Sequence, residues 1–239
     1  MSINGDPKAN VDQRVVTVDG PAGSGKSTLG RRLAVALRLP FVDTGLLYRG
    51  VTVAAIRAGV GAEDTEAVID IARRTTIEIQ TDPNRPPGAG EVLVDGADAG
   101  DLLRDPRDAP LLSQISAIPE VRSLLLAPQR KLAENGAVAV GRDCGTVVFP
   151  SAPVKFFLWA SADTRMRRRA LQLSGLAPDL QRDTLRDEVG GRDSVDTTRR
   201  AAPLRAAPDA HIIDTGALDV DEMVKRALAI CAAAGVMPA

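Results

Sequence analysis

The chain contains little cysteine and histidine. Its 239 residues include two cysteines, Cys144 and Cys231, and a single histidine, His211. Two cysteines this far apart do not have the spacing of a disulfide framework or a zinc site, and one histidine cannot form a histidine cluster. We therefore expect no disulfide scaffold, and the default location for such a composition is the reducing cytoplasm.

Long apolar runs and a strong net charge are also missing. Residues 1–14 contain Asn, Asp, Gly and Pro but no apolar run, so we expect a disordered tail rather than a signal peptide or membrane anchor. The net charge of −1 gives no indication of a nucleic-acid or membrane partner. With 44% hydrophobic and 26% charged residues, the composition is typical of a globular protein, and we expect one α/β domain over 15–239.

From residue 15 onward, short apolar runs alternate with helical patterns, as in a parallel sheet covered by helices on both faces. The predicted strands span residues 15–18, 40–42, 137–140, 154–158 and 211–213. Between the first two strands, apolar residues from Leu29 to Leu37 recur at helical spacing. This pattern predicts a helix that begins near Gly25 and ends before Pro40.

Two stretches interrupt the alternation. In residues 75–101, Ile77 and Ile79 alternate with polar residues, and Asp95-Gly96 is a hairpin signal, so we expect a small β-rich insertion that extends to about residue 112. Residues 162–205 contain ten arginines and seven acidic residues with few apolar ones, which is typical of a solvated, movable segment.

The strongest motif is G-x4-G-K-S at residues 20–27, placed after an apolar strand and before a helix. Glycines let the backbone N–H groups turn toward phosphate oxygens, and the helix adds its positive end. Lys26 would reach the β- and γ-phosphates of a nucleoside triphosphate, and the Ser27 hydroxyl could ligate Mg²⁺. The predicted nucleotide-binding residues are Gly20, Pro21, Ala22, Gly23, Ser24, Gly25, Lys26, Ser27 and Thr28. The motif does not indicate which reaction follows.

Asp43-Thr44-Gly45 comes directly after the second strand, with Arg49 one helical turn further on. At the carboxyl end of a neighbouring strand, these residues would face the phosphate loop. Asp43 could hold a metal-bound water or orient an acceptor, and Arg49 could bind the acceptor phosphate. The alternative is that Asp43 or Thr44 caps the helix and Arg49 lies in solvent.

Gly141-Arg142-Asp143 follows the strand at 137–140, again at a carboxyl end. Arg142 could bind a phosphate, and Asp143 could accept a hydrogen bond from a base amino group or ligate a metal. The alternative is an Arg–Asp pair that closes the following helix.

Within the arginine-rich segment, Arg192, Asp193, Asp196 and Arg199 have the spacing of one helix face. Mutual salt bridges are one explanation of this pattern. The other is a lid that closes over ATP, excludes water and brings guanidinium groups to the transferring phosphoryl group.

Taken together, these motifs resemble those of the bacterial cytidylate kinases over about residues 15–228. Beyond the phosphate loop, the resemblance includes Tyr48-Arg49, Ser113-Gln114, Val121-Arg122, Gln129-Arg130, the run from Gly141 to Pro150, Arg192-Asp193 with Asp196 and Arg199, Pro203-Leu204 and Asp214-Thr215. It implies an α/β, P-loop NTPase-type three-layer fold with a parallel sheet flanked by helices. The insertion at 75–112 would bind CMP, and residues 162–205 would form the lid.

The resemblance also implies roles for individual residues. Ser113, Arg122 and Asp143 would recognise cytosine, and Arg192 and Asp196 would bind the ribose. Arg49, Arg142 and Arg199 would hold the acceptor phosphate, and Thr44 would belong to the same substrate site. The catalytic residues would be Lys26, Arg142, Arg192 and Arg199.

The implied reaction transfers phosphate from ATP, with Mg²⁺, to CMP or dCMP. Cytosine carries an N4 amino donor where uracil carries an O4 acceptor, so a carboxylate such as Asp143 favours CMP and dCMP over UMP. The rival hypotheses are a kinase for AMP, UMP or shikimate, and a nucleotide-binding switch without transfer activity. We expect a monomer, because no long amphipathic seam stands out.

Two residues depart from the family pattern. Cys144 stands where a larger apolar residue is usual, and we interpret it as a small buried hydrophobe rather than a reactive thiol. Pro128 lies inside a helical pattern, where it is expected to kink or end the helix.

Overall fold

The computed structural model describes residues 14–238 except for 89, 104, 174–191 and 200. The predicted tail therefore lies outside the described residues apart from Arg14, and so does the middle of the predicted lid. None of the helices within the described ranges is long and apolar enough to cross a membrane.

The fold is built on a parallel sheet of five strands in the order β2-β6-β1-β7-β8. Each of the five strands predicted from the apolar runs is present. Their bounds are β1 Val15–Asp19, β2 Phe41–Asp43, β6 Ala137–Gly141, β7 Val154–Trp159 and β8 His211–Asp214. The sheet is flanked by helices, so the predicted fold class is confirmed.

Eight α-helices are assigned within the described part of the chain. They are α1 Lys26–Leu37, α2 Gly45–Ala58, α3 Thr65–Arg74, α4 Ala109–Ala117, α5 Pro119–Lys131, α6 Ala162–Leu173, α7 Arg192–Thr198 and α8 Val220–Ala233. Helix α1 confirms the predicted bounds, and its buried residues lie at the expected spacing, with Leu29, Leu33 and Leu37 packed on the sheet.

The predicted β-rich insertion contains a second sheet. Strands β3 Ile77–Ile79, β4 Val92–Val94 and β5 Ala97–Asp98 are antiparallel, and the Asp95-Gly96 turn joins β4 to β5 as its sequence indicated. The inner face of this sheet packs against α2 in a separate apolar cluster. The assignment of 75–112 to CMP binding and of 162–205 to a lid stays a prediction.

Pro128 does not end its helix, so that part of the expectation is wrong. Helix α5 continues through Pro128 to Lys131, and the backbone N–H of Leu132 donates to the Pro128 carbonyl. Pro128 has no N–H to donate to the Leu124 carbonyl, so α5 continues through it with the loss of one helical hydrogen bond. Gln129 is buried against Tyr48, and Arg130 donates to the Val148 carbonyl.

Because β1, β2 and β6 run parallel, their carboxyl ends meet at one edge of the sheet. Asp19 pairs with Gly141 at this edge, and Asp43 pairs with Val140. The phosphate motif, the Asp43 motif and the Arg142-Asp143 motif therefore start from neighbouring points, as expected for a site at the ends of parallel strands.

Gly30 allows α1 to approach the sheet closely, which gives a test of this packing. A Cβ atom at Gly30 would lie 2.5 Å from Val140 Cγ1 and 2.9 Å from Phe41 Cε2. We expect Gly30→Ala to lower the free energy of unfolding in urea, because overpacking costs about 1–3 kcal/mol and exceeds the gain of about 1 kcal/mol in helix propensity.

Val35→Ala is the matched control, because Val35 lies on the same helix with 47% of its surface exposed. It should change the unfolding free energy by less than about 0.7 kcal/mol. A Gly30→Ala variant as stable as the wild type would show that α1 does not pack this tightly.

Candidate active site

The phosphate motif forms a loop between β1 and α1. Gly20 and Gly25 both have positive φ, 148° and 91°. A Cβ atom at Gly20 would lie only 2.3 Å from the Leu158 carbonyl oxygen, so this position requires glycine. Helix α1 begins at Lys26 without a side-chain cap, which leaves first-turn N–H groups available to an anion.

Three cationic side chains contact the carbonyl oxygens of this loop. Arg142 Nη1 donates to Gly20 over 2.6 Å, Lys26 Nζ donates to Pro21 over 2.7 Å, and Arg165 Nη1 donates to Ala22 over 3.1 Å. These cations come from β6's carboxyl end, α1 and α6. The loop therefore lies in positive surroundings that suit a polyphosphate.

Helix α6, at the start of the predicted lid, is connected to the phosphate loop through Thr215. Arg168 donates from Nη1 to the Thr215 hydroxyl over 2.9 Å and from Nη2 to the Thr215 carbonyl over 2.7 Å. The Thr215 hydroxyl in turn donates to the Ser24 carbonyl over 3.1 Å. A hydrogen-bonded chain of three residues, Arg168, Thr215 and Ser24, therefore links α6 to the phosphate loop.

Charged residues on α5, on and directly after α7, and directly after β6 form a buried cluster on the predicted acceptor side, which we call the acceptor cluster: Arg122, Arg142, Asp143, Asp196 and Arg199. Asp143 Oδ2 accepts from Arg122 Nη2 over 2.5 Å, and Asp143 Oδ1 lies 3.8 Å from Arg199 Nη2. Asp196 accepts from Arg142 Nε over 2.7 Å and from Arg199 Nη1 over 3.1 Å. Three guanidinium groups thus surround two carboxylates, so this cluster carries an excess positive charge.

Arg199 is the least satisfied member of this cluster. Its Nη2 is buried and has no hydrogen-bond partner among the described residues. Burial lowers the pKa of the Arg199 guanidinium, and repulsion by Arg122 lowers it further. An anionic ligand near Arg199 would relieve both costs, because it supplies an acceptor and a negative charge.

Among the salt bridges predicted for this segment, the Asp196–Arg199 pair falls within the described residues. Asp196 and Arg199 do pair at the end of α7, but Asp196 also reaches Arg142 outside the lid. Arg142 pairs with Asp196 on α7, and Asp143 pairs with Arg122 on α5. The two residues therefore do not simply pair with each other at the start of the following helix, which was the alternative explanation. The side chain of Arg192, at the start of α7, lies outside the described part of the chain.

Three other predicted substrate residues have described contacts with the protein itself. Arg49 Nη1 donates to the Leu103 carbonyl over 2.8 Å, so it contacts the segment after the small sheet. The buried Thr44 hydroxyl donates to the Val140 carbonyl over 3.0 Å. Ser113 is buried on α4, which packs against α7. The binding roles of these residues stay predictions.

Asp43 contacts the first turn of α2 from the position before the N-cap, Thr44, whose own side chain makes no capping hydrogen bond. Its Oδ1 accepts from the backbone N–H of Gly45 over 3.0 Å, at the first residue of α2. This contact orders the start of the helix that carries Arg49.

The interpretation of Cys144 as a small buried hydrophobe is supported. Cys144 is fully buried, and burial together with the negative charges of Asp19 and Asp143 raises the pKa of its thiol well above the usual value. A thiol in this environment is not a nucleophile.

Asp19 was missed by the sequence reasoning. It is the last residue of β1 and is buried, and its two oxygens accept from the backbone N–H groups of Cys144 and Gly145. Burial raises the pKa of Asp19 to about 6, against the effect of these two hydrogen bonds. A carboxylate ending the apolar run VVTVD, directly before the phosphate loop, was the available signal.

Tyr48 was quoted only as part of a motif, but it lies inside the acceptor cluster. The Arg122 guanidinium carbon lies 5.1 Å from the centroid of its ring, within the range of a cation–π contact. Burial raises the pKa of the Tyr48 hydroxyl to about 12, and a hydrogen bond with the Gln129 side chain acts in the opposite direction. Tyr48 therefore supports the position of Arg122.

Comparison with known proteins agrees with this arrangement. The family described as Cytidylate kinase matches residues 16–233. A cytidylate kinase of Syntrophotalea carbinolica is 43% identical over 221 residues, which cover 92% of each chain. One of Mycobacterium avium is 44% identical over 84% of this chain and 87% of its own, and one of Geobacillus kaustophilus is 42% identical over 90% and 95%. A match of this extent, over a phosphate loop facing a buried arginine–aspartate cluster, shows that the chain belongs to the cytidylate kinase family.

Proposed function

We propose that this chain transfers the γ-phosphate of ATP to CMP or dCMP, giving ADP and CDP or dCDP. The observation that carries the proposal is the buried acceptor cluster, in which Asp143 lies among arginines while Arg142 also contacts the phosphate loop. Such a cluster can hold an anionic acceptor beside a bound triphosphate. The chain's membership of the cytidylate kinase family indicates that this acceptor is a cytidine nucleotide.

ATP would bind at residues 20–28. The backbone N–H groups of this loop and the first turn of α1 suit the phosphates, and Lys26 stands at the start of that turn. Mg²⁺ usually keeps several waters and takes few protein oxygens besides those of the phosphates. The hydroxyl of Ser27, exposed in the same turn, fits that requirement, and the ion would neutralise charge on the transferring group.

The acceptor would bind against the Asp143 cluster. Asp143, Arg122 and Ser113 would contact cytosine, since a carboxylate can accept from its N4 amino group. The Nη2 of Arg199, which has no hydrogen-bond partner among the described residues, supports a role in binding the acceptor phosphate. Further assignments follow the family resemblance: Arg49 and Arg142 to the phosphate, Arg192 and Asp196 to the ribose, and Thr44 to the substrate.

The transfer needs no general base from the protein, because the attacking phosphate oxygen is already an anion. The chain's task is to align the two nucleotides, neutralise charge on the transferring phosphoryl group and exclude water. Lys26, Arg142, Arg192 and Arg199 would supply the positive charge. Helices α6 and α7, at the two ends of the predicted lid, connect to the phosphate loop and to the acceptor cluster.

The substrate is tested by one panel assay. We expect ADP release from ATP to be fast with CMP and dCMP and at least about tenfold less efficient with UMP and AMP, which is the effect of about 1.4 kcal/mol of discrimination. Tight binding of ATP with no turnover on any acceptor would favour a nucleotide-binding switch. Preference for AMP, UMP or shikimate would favour a different kinase.

The role of Lys26 is tested by Lys26→Ala. Loss of this charge should lower kcat by about a hundredfold or more, while circular dichroism stays native, because Lys26 is only half-buried at the start of α1. Lys225→Ala, on the exposed face of α8, removes the same charge far from the loop and should keep wild-type kcat. Undiminished kcat in folded Lys26→Ala would overturn the assigned role.

The role of Asp143 is tested by Asp143→Asn. An amide can donate as well as accept, so the efficiency ratio kcat/KM for CMP over UMP should fall by about tenfold to a hundredfold, as expected for 1–3 kcal/mol per base contact. Asp70→Asn makes the same chemical change on the surface of α3 and should leave this ratio unchanged. An unchanged ratio in folded Asp143→Asn would mean that another residue distinguishes the bases.

A further inference from the structure

We propose that Asp19 is a positioning residue for base selection, which holds the backbone beside Asp143 so that its carboxylate can distinguish cytosine from uracil. The inference rests on the proposed function, because it concerns the same acceptor site. It assigns a specificity role to a residue at the end of β1, outside the set of residues expected to touch CMP.

The geometry places Asp19 directly behind the base-reading residue. Its Oδ1 accepts from the Cys144 N–H over 2.9 Å, and its Oδ2 accepts from the Gly145 N–H over 2.7 Å. These two N–H groups are the first two after Asp143, in the short π-helix Cys144–Val148. One carboxylate therefore fixes the peptide groups that follow Asp143.

Asp143 is also held from the opposite side. Its Oδ2 accepts from Arg122, whose Nη1 donates to the Ser116 carbonyl over 2.9 Å. The side chain of Asp143 is thus aimed by Arg122, while its backbone is anchored by Asp19. Because selectivity depends on a hydrogen bond to one exocyclic group, a displacement of about 1 Å is enough to weaken it.

The cost of keeping a carboxylate at this position supports a functional role. Asp19 is 4% exposed in the middle of the sheet, between β6 and β7, where an apolar residue would avoid desolvation. Its surroundings are mixed, since Lys26 attracts its negative charge and Asp143 repels it. The raised pKa of about 6 reflects this unfavourable burial. Perturbed buried carboxylates of this kind are concentrated at functional sites.

The contact between Asp19 and the π-helix can also be disturbed by a substitution at Gly145, whose N–H donates to Asp19. A Cβ atom at Gly145 would lie 2.9 Å from Thr17 Oγ1, 3.2 Å from Lys155 Cδ and 3.4 Å from Asp19 Oδ2. Gly145→Ala should therefore push the π-helix away from β1 without removing any charge.

The experiment measures kcat/KM for CMP and UMP, and KM for ATP, in Asp19→Asn, Gly145→Ala and the double variant. The Asn side chain has nearly the same shape, but its NH2 group cannot accept from the backbone. We expect the CMP:UMP efficiency ratio to fall by about tenfold or more in each single variant, through KM for CMP, with KM for ATP changed by less than about twofold. The double variant should lose less than the two single effects combined, because both disturb one contact.

Thr17→Val is the matched control. Thr17 lies on the same strand beside Gly145, is fully buried, and its hydroxyl has no hydrogen-bond partner within the described part of the chain. A nearly isosteric change there should leave the CMP:UMP ratio unchanged. It controls for any general effect of altering the end of β1.

Three outcomes would overturn the inference. The first is an unchanged ratio in Asp19→Asn, or in Gly145→Ala if Asp19→Asn does not fold. The second is a rise in KM for ATP with the ratio preserved, which would assign Asp19 to the donor site. The third is a wild type without preference for CMP, which would also overturn the proposed function and is identified before any variant is made.

Discussion

The parallel pairing of β1 with β6 is the constraint on which the rest of the structure depends. Its register pairs Val18 with Val140 and Asp19 with Gly141, and Gly20 and Arg142 directly follow this last pair. Arg142 therefore reaches the Gly20 carbonyl over 2.6 Å. A single hydrogen-bonded register thus places the phosphate loop and the acceptor-side residues next to each other. The predicted binding segments for the two nucleotides lie close together because they follow neighbouring parallel strands, β1 and β6, at the same edge of the sheet.

Burial of the charged side chains of the acceptor cluster costs desolvation free energy, and this cost explains how the cluster is organised. Arg122, Asp143, Asp196 and Arg199 are all buried, and burial of ion pairs usually stabilises a fold less than apolar packing of the same volume does. Asp196 lies on α7, in the predicted lid, and Arg199 directly follows this helix. Asp196 pairs with both Arg142 and Arg199 in this cluster, so the position of α7 and the electrostatics of the site are coupled.

A structural feature could be predicted from the sequence when the residues that form it are close together along the chain. The five strands, α1, the phosphate loop and the Asp95-Gly96 turn were predictable because each depends on adjacent residues. The pairing of Asp19 with Cys144 joins residues 125 apart, and a contact of that kind leaves no local pattern. The Arg122–Asp143 pair could be anticipated only through the family resemblance. Pro128 misled the helix prediction because buried residues on both sides of it, Leu125 and Gln129, keep α5 packed through the position that lacks an N–H.

The contacts of the phosphate loop suggest how a triphosphate would engage both sides of the cleft. Lys26, Arg142 and Arg165 donate to three consecutive carbonyl groups of the loop. Phosphate oxygens carry more negative charge than carbonyl oxygens, so a bound triphosphate would compete for these donors and form stronger, charge-assisted hydrogen bonds. Arg142 also holds Asp196 on α7, and Arg165 belongs to α6. Occupation of the loop would therefore act on both described helices of the predicted lid through side chains already in contact with it.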